Sequence, residues 1–302
     1  MTTRLRRSEL ATPGSSEKMI QKAAESEADL VFLDLEDAVA PAHKEAARDA
    51  VIVALNGADW GRKTRAVRIN SVDTIWAHDD IIEVVTRAGQ SLDVIIVPKV
   101  KAPRDVWFVE TLLAQLEAKL RLGRRIGLEA LIEETEALAR VEEIAACSSR
   151  LEALILGVGD LSASQGIRMG NVSDPSLRYP GDMWHYARNR MIVAARANGL
   201  DAIDGPYANY RDDEGYTREA TWGGTLGCAG KWCIHPSQIT IANEVFSPTD
   251  KEIDLARRMC EAYEAAQGGG EGAAGASGVL VDAASLRIFE GVLERARLTG
   301  KL

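Results

Sequence analysis

Short apolar runs alternate with helix-patterned segments along most of this chain, and that alternation restricts the fold more than any other feature. The runs are Arg7–Thr12, Leu30–Glu36, Arg65–Asn70, Val94–Pro98, Ile126–Glu133, Ala153–Gly157, Ala202–Gly205 and Gly230–Ile234. Most are too short for a helix and too uniformly apolar for a strand with one wet face. They read as strands buried on both sides. Between them lie helix-like stretches such as Ser16–Glu27, Lys44–Leu55, Asp80–Ala88 and Asp105–Leu122, followed by Ala137–Ala146, Met183–Asn198 and Asp213–Leu226. Strand–helix alternation implies a parallel sheet. Eight strands in about 235 residues fit an α/β protein of the (β/α)8 TIM-barrel type better than an open doubly wound sheet. The expected organisation is a barrel over residues 1–246 and a C-terminal helical extension over 247–302.

Composition excludes several classes. The net charge of −9 argues against a nucleic-acid-binding surface, although a local basic cluster could still hold an anionic ligand. No Gly-x-Gly-x-x-Gly follows a strand and no Walker sequence occurs, so dinucleotide and P-loop readings have no support. No apolar run reaches about 18 residues, so no membrane span is expected. The start, MTTRLRRSEL, has no apolar stretch behind its basic residues, and no signal peptide is expected. Cys147, Cys228, Cys233 and Cys260 show neither zinc-type nor disulfide spacing, which fits a cytoplasmic protein.

The strand ends carry the candidate chemistry. In Ile126–Asp160 two apolar strands flank a helix-like run; Glu133 closes the first strand and Asp160 closes the second. In a parallel α/β protein such ends are where sites are built. Two hard oxygen ligands suit Mg²⁺, which takes one or two carboxylates and completes its shell with water and substrate. The alternative is that each acid caps the helix after it. Glu36 and Asp37 follow the second strand, Arg68 lies near the end of the third, and Lys99 follows the fourth. Arg68 reads either as a satisfied buried ion pair or as a planar fork for a substrate carboxylate or developing alkoxide. His235 and His185 read as a turn residue and a helix-start residue. In the tail, a helix opened by Ser247-Pro248-Thr249-Asp250 runs to about Gln267. The Gly-rich run 268–278 reads as a flexible connector. Asp282 then stands where an N-cap belongs.

Taken together, VFLDLEDAV (31–39), DWGRK…AVRIN (59–70), VIIVPKV (94–100) and LGVGDLSAS (156–164) resemble the HpcH/HpaI aldolase/citrate lyase superfamily, and within it the malyl-CoA/β-methylmalyl-CoA lyases. DGPYANYRDDEG (204–215), GKWCIHPSQITIANEVFSP (230–248) and LVDAASL (280–286) extend the likeness to nearly the whole chain. The resemblance implies a (β/α)8 barrel with a C-terminal lid that reaches a neighbouring subunit, in homotrimers or homohexamers. It implies cleavage of a 3-hydroxyacyl-CoA to glyoxylate and acetyl-CoA or propionyl-CoA with Mg²⁺, or Mn²⁺ in its place. Citramalyl-CoA or citryl-CoA cleavage and malyl-CoA thioester hydrolysis are the alternatives.

By motif, Glu133 and Asp160 would be the metal ligands and Arg68 would hold the oxoacid carbonyl oxygen. Asp282 would come from the adjacent subunit as the acid/base on the acyl-CoA, and Glu36 and Asp37 would support bound water and Arg68. Lys99, and a basic cluster of Arg4, Arg6, Arg7 and Lys18 or Lys22, would meet substrate and CoA phosphates; a solvated start is the alternative for Arg4 and Arg6. The chain departs from the family pattern in LATPGSSEKM, in Glu134-Thr135-Glu136-Ala137, and in NVSDPSLRYPGD, which is expected to border the acyl-CoA entrance.

Overall fold

The computed structural model describes residues 4–168, 179, 181–270, 273–276 and 279–302. The eight expected strands form, one for one. They are β1 (Ser8–Pro13), β2 (Leu30–Asp34), β3 (Thr64–Arg68), β4 (Val94–Val97), β5 (Gly127–Ile132), β6 (Leu151–Leu156), β7 (Asp201–Asp204) and β8 (Gly230–Cys233). All pair in parallel and in sequence order, and β8 closes on β1 through the Ser8–Lys231, Glu9–Trp232 and Leu10–Cys233 register. The fold is a closed (β/α)8 barrel.

The helices on the connections are α1 (Glu17–Ala24), α2 (Lys44–Gly57), α3 (Ala77–Ala88), α4 (Pro103–Leu120), α5 (Thr135–Ala139), α6 (Val141–Ala146), α7 (Val158–Ser164), α8 (His185–Ala197) and α9 (Asp213–Leu226). α10 (Ser237–Val245) follows β8. The chain divides into two compact units, Met1–Asn243 and Glu244–Leu302. The second contains α11 (Asp250–Gly268), an antiparallel hairpin of β9 (Ala273–Ala276) and β10 (Val279–Asp282), and α12 (Ala283–Leu298). The Gly-rich connector expected across 268–278 is therefore partly a strand: Ala273–Ala276 pairs with Val279–Asp282. Tyr263, Met259 and Val281 form a small core of this unit.

Side chains two apart on a strand share a face, and this parity separates the barrel interior from its helix-covered outside. Leu30 and Phe32, Ala66, Val94 and Ile96, Leu131, Ala153 and Ile155, Ile203 and Trp232 pack as one buried cluster. The Phe32 and Trp232 rings, from strands that are not neighbours, approach to 4.5 Å between centroids. Continuing the same parity one step beyond Phe32, Ala66 and Leu131 gives Asp34, Arg68 and Glu133. The interior column of three strands thus ends in charged groups at the C-terminal mouth.

The opposite, N-terminal end of the barrel is sealed by a second charged cluster. Arg6 is buried, with Glu129 Oε1 at 2.9 Å, Asp201 Oδ2 at 3.3 Å, Glu9 Oε1 at 4.0 Å, and Glu152 also in contact. Arg4 Nε donates to Glu152 at 2.7 Å. Both readings of Arg4 and Arg6 are thereby corrected: they form neither a solvated start nor a phosphate cluster, because carboxylates at the foot of the barrel consume them. No helix among the described residues is long and apolar enough to cross a membrane.

Candidate active site

The loop after β2 is folded by hydrogen bonds that a residue-type reading does not reveal. Asp34, directly opposite Arg68 in the β2–β3 register, accepts Arg68 Nε and Nη2, both at 2.7 Å. The same carboxylate accepts the backbone N–H groups of Glu36 at 2.9 Å and Ala38 at 3.1 Å. Lys44 Nζ, buried at the start of α2, donates to the carbonyls of Leu35 and Glu36, each at 2.7 Å. These bonds turn the chain so that Glu36 faces the barrel axis. Its Oε2 lies 3.2 Å from Arg68 Nη1, and its Oε1 accepts Lys99 Nζ at 2.5 Å.

Arg68 also has a floor. Its guanidinium carbon sits 5.5 Å from the Trp232 ring centroid and 5.9 Å from that of Phe32, within the range of a cation–π contact. Burial alone would lower the Arg68 pKa, but the hydrogen-bonded Asp34 carboxylate and the nearby Glu36 and Glu133 charges raise it instead. Burial likewise would raise Asp34, yet the bonds from Arg68 and the two backbone N–H groups hold it below the usual carboxylate range. Both groups therefore stay ionised.

Glu133 differs. It is 2 % exposed, its Oε1 accepts the backbone N–H of Lys99 at 2.8 Å, and burial followed by the Glu36 charge pushes its carboxyl up to about 8. Asp160 adds to the same upward push, while the Lys99 N–H and Arg68 oppose it. A Cβ on Gly157 would stand 2.4 Å from Glu133 Cβ and 2.6 Å from its Oε2, so only glycine leaves room for this side chain. Asp160 is in the first turn of α7, partly exposed, with its Oδ1 4.0 Å from Lys99 Nζ. The capping alternative for these two acids fails: the N-caps of α5 and α7 are Glu134 and Gly157, and neither makes a side-chain cap bond.

Lys99 links the acids. Its backbone is left-handed, with φ of 48°, which a non-glycine residue adopts only at a cost of order 1–3 kcal/mol. That conformation lets its N–H reach Glu133 while its ammonium contacts Glu36 and, at 3.1 Å, Asp37. Burial would lower the Lys99 pKa, but the hydrogen bond it donates to Glu36 and the charges of Glu36 and Asp37 raise it. The ammonium expected to meet substrate or CoA is already engaged by these acids.

Glu36, Asp37, Arg68, Lys99, Glu133 and Asp160 are therefore gathered at one mouth of the barrel. Arg7 is not: it precedes β1, at the opposite end of the parallel barrel, and its Nε and Nη2 are each 2.8 Å from the Asp29 carboxylate. The expected phosphate role for Arg7 is corrected on that ground. Lys18 is exposed in the first turn of α1, the helix that follows β1, and so lies at the same end as Glu133. His235 is the satisfied turn residue expected, accepting the Ser237 N–H at 3.2 Å and stacking on Tyr210. Asp282 caps α12, accepting from Ala284 and Ser285 N–H at 3.1 and 2.8 Å, and the Ser285 N–H holds its carboxyl below the usual range. Most of the NVSDPSLRYPGD loop lies outside the described residues.

The donor set fits a hard divalent cation. A buried carboxylate held near 8 is short of a compensating positive charge, and a second carboxylate stands close enough to perturb it. Among the described residues no three His, Cys, Asp or Glu side chains converge as a ready-made metal cage. Mg²⁺ itself asks for one or two carboxylates and keeps positions for water and substrate oxygens.

A parallel eight-stranded barrel with paired carboxylates and a fixed arginine at its C-terminal mouth defines the class: a TIM-barrel protein with its polar residues gathered where such barrels build their sites. Comparison with known proteins narrows it. Residues 7–236 match the HpcH/HpaI aldolase/citrate lyase family. The chain is 40% identical over 301 residues to the L-malyl-CoA/β-methylmalyl-CoA lyase of Cereibacter sphaeroides ATCC 17025, covering 97% of this chain and 95% of the relative. It is 37% identical over 278 residues to the (3S)-malyl-CoA thioesterase of the same strain, covering 91% and 89%. Among solved structures, CitE of Mycobacterium tuberculosis, in complex with magnesium, acetoacetate and coenzyme A, superposes with a TM-score of 0.74 at 29% identity, covering 96% of this chain and 97% of that one. The chain belongs to the HpcH/HpaI aldolase/citrate lyase family.

Proposed function

We propose that this protein is a Mg²⁺-dependent carbon–carbon lyase acting on a 3-hydroxyacyl-CoA. L-malyl-CoA or β-methylmalyl-CoA would give glyoxylate with acetyl-CoA or propionyl-CoA, reversibly. The observation that carries the reading is the Glu133–Asp160 pair beside a fully anchored Arg68, in a chain 40% identical to a lyase of that name. Glu133 and Asp160 would hold the ion, with Mn²⁺ as a substitute. When bound, Mg²⁺ supplies Lewis-acid polarisation of substrate oxygens.

The chain's own residues supply the rest. Arg68, its Nε and Nη2 held by Asp34, presents its Nη1 end where negative charge develops on the oxygen of the oxoacid. Glu36 and Asp37, through Lys99, keep that end of the mouth polar and ordered. Asp282, contributed by a neighbouring copy through the C-terminal unit acting as a lid, removes a proton from the acyl-CoA α-carbon in condensation and returns it in cleavage. Its anion, stabilised by the Ser285 N–H, is the form that condensation requires. Closure of such a lid keeps a reactive enolate from water. Lys18 would meet the CoA phosphates, the assembly would be a homotrimer or homohexamer, and the free cysteines fit a cytoplasmic setting.

The likeness to a malyl-CoA thioesterase favours a second reading, hydrolysis on the same site. The products separate the two. Purified protein with malyl-CoA and Mg²⁺ should form glyoxylate, trapped as its phenylhydrazone, and none in EDTA. Free CoA with malate and no oxoacid would establish hydrolysis instead.

A further inference from the structure

We propose that Asp34, to which the resemblance gives no role, is the positioning residue that sets the direction of Arg68; the proposal rests on the lyase reading above. Asp34 and Arg68 are register partners on adjacent strands, and both point into the barrel. A bidentate pair fixes the plane of the guanidinium as well as its position. Asp34 takes the Nε–Nη2 edge, Trp232 and Phe32 lie against the face, and the Nη1 end is left with Glu36 Oε2 at 3.2 Å. The edge turned to the mouth is therefore decided by Asp34. The carboxylate also ties the Glu36 and Ala38 N–H groups, so the loop that delivers Glu36 to Nη1 closes on the same two oxygens. A lone charge partner would need none of these four bonds; an aiming device needs all of them.

The discriminating experiment is a cycle of D34N, R68A and the double variant, assayed in condensation of glyoxylate with acetyl-CoA. Asn keeps the shape and an acceptor for one bond, but turns an NH₂ toward Arg68 and frees the fork. The expected loss for D34N is about 100-fold in kcat/KM for glyoxylate, the scale of an angstrom-level misplacement. The KM for acetyl-CoA should stay within about threefold, a split that loss of fold would not give. In the R68A background, D34N should cost no more than about threefold further, because its effect passes through Arg68. A D34N loss of the same factor in both backgrounds, or a wild-type-like kcat/KM for glyoxylate, overturns the proposal. If the wild-type chain forms no oxoacid adduct at all, the lyase reading fails separately. The same cycle is then read as Mg²⁺-dependent binding of pyruvate by calorimetry, under the same criteria; absence of that binding in the wild type overturns the positioning role as well.

Discussion

With Glu133 as a ligand of the proposed Mg²⁺, metal affinity becomes a function of pH, and the size of the effect follows from the burial of that carboxyl. Held at about 8 rather than the ordinary 4.5, the carboxyl is about 90% protonated at pH 7 in the metal-free protein. A cation must displace that proton, so apparent Mg²⁺ affinity should rise about tenfold per pH unit between roughly pH 5 and 8 and flatten above. Calorimetric titrations in buffers of different ionisation enthalpy should show close to one proton released at pH 7. The stability of the metal-free protein runs the other way. A carboxyl raised in the fold contributes stability that is full below its unfolded pKa and is lost as pH climbs through the folded value. EDTA-treated protein should therefore lose stability from about pH 4.5 to 8, by at most about 5 kcal/mol. E133Q removes both slopes while leaving Glu36 and Asp160 in place. A wild-type Mg²⁺ affinity constant within about threefold from pH 6 to 8, with no proton release, would refute the reasoning.

Three further perturbations bear on the account. Gly157→Ala places a methyl 2.4 Å from Glu133 Cβ, so Mg²⁺ affinity should drop by at least about tenfold in a folded protein, checked by calorimetry alongside circular dichroism. Arg6→Ala leaves Glu129 and Glu9 buried without their cation, and urea denaturation should show a loss of about 3–5 kcal/mol. Its Mg²⁺ affinity should be unchanged, because the cluster seals the other end of the barrel. Asp282→Asn should keep the α12 cap and the melting temperature, since Asn caps about as well as Asp, yet lower condensation by about 100-fold or more; full activity would remove Asp282 from the chemistry.

The barrel was legible because buried parallel strands are nearly pure runs of apolar residues, and all eight lie within a few residues of where those runs placed them. Boundaries differ where polar residues continue the interior face: the second apolar run extends to Glu36, whereas the strand stops at Asp34 and the chain turns on that carboxylate. α7 is only seven residues long, too short for helical periodicity to show, so the sequence pattern places Asp160 at the close of a strand, whereas it stands in the first turn of that helix. Asp34 itself escaped because its importance comes from register: only the pairing of β2 with β3 reveals that it faces Arg68. Its parity with Phe32 was the available signal. Lys99 was visible as a strand-end cation, but its positive φ and backbone bond to Glu133 are tertiary facts that residue type does not encode. The arginines near the N-terminus mislead because the carboxylates that accept their hydrogen bonds lie 22 to 195 residues away along the chain. Composition makes the alanine–glycine run a connector, while backbone pairing with Val279–Asp282 makes part of it a strand.

The central claim is that the two carboxylates at the barrel mouth carry a metal-dependent carbon–carbon cleavage. Its most direct test is oxoacid formation from malyl-CoA by EDTA-stripped protein on readdition of Mg²⁺, comparing wild type with E133Q and D160N, each shown to be folded. Glyoxylate formation should recover fully in the wild type and be absent in either variant at any Mg²⁺ concentration that saturates the wild type. Glyoxylate formed at wild-type rate by either variant, or by the stripped protein without metal, would contradict it.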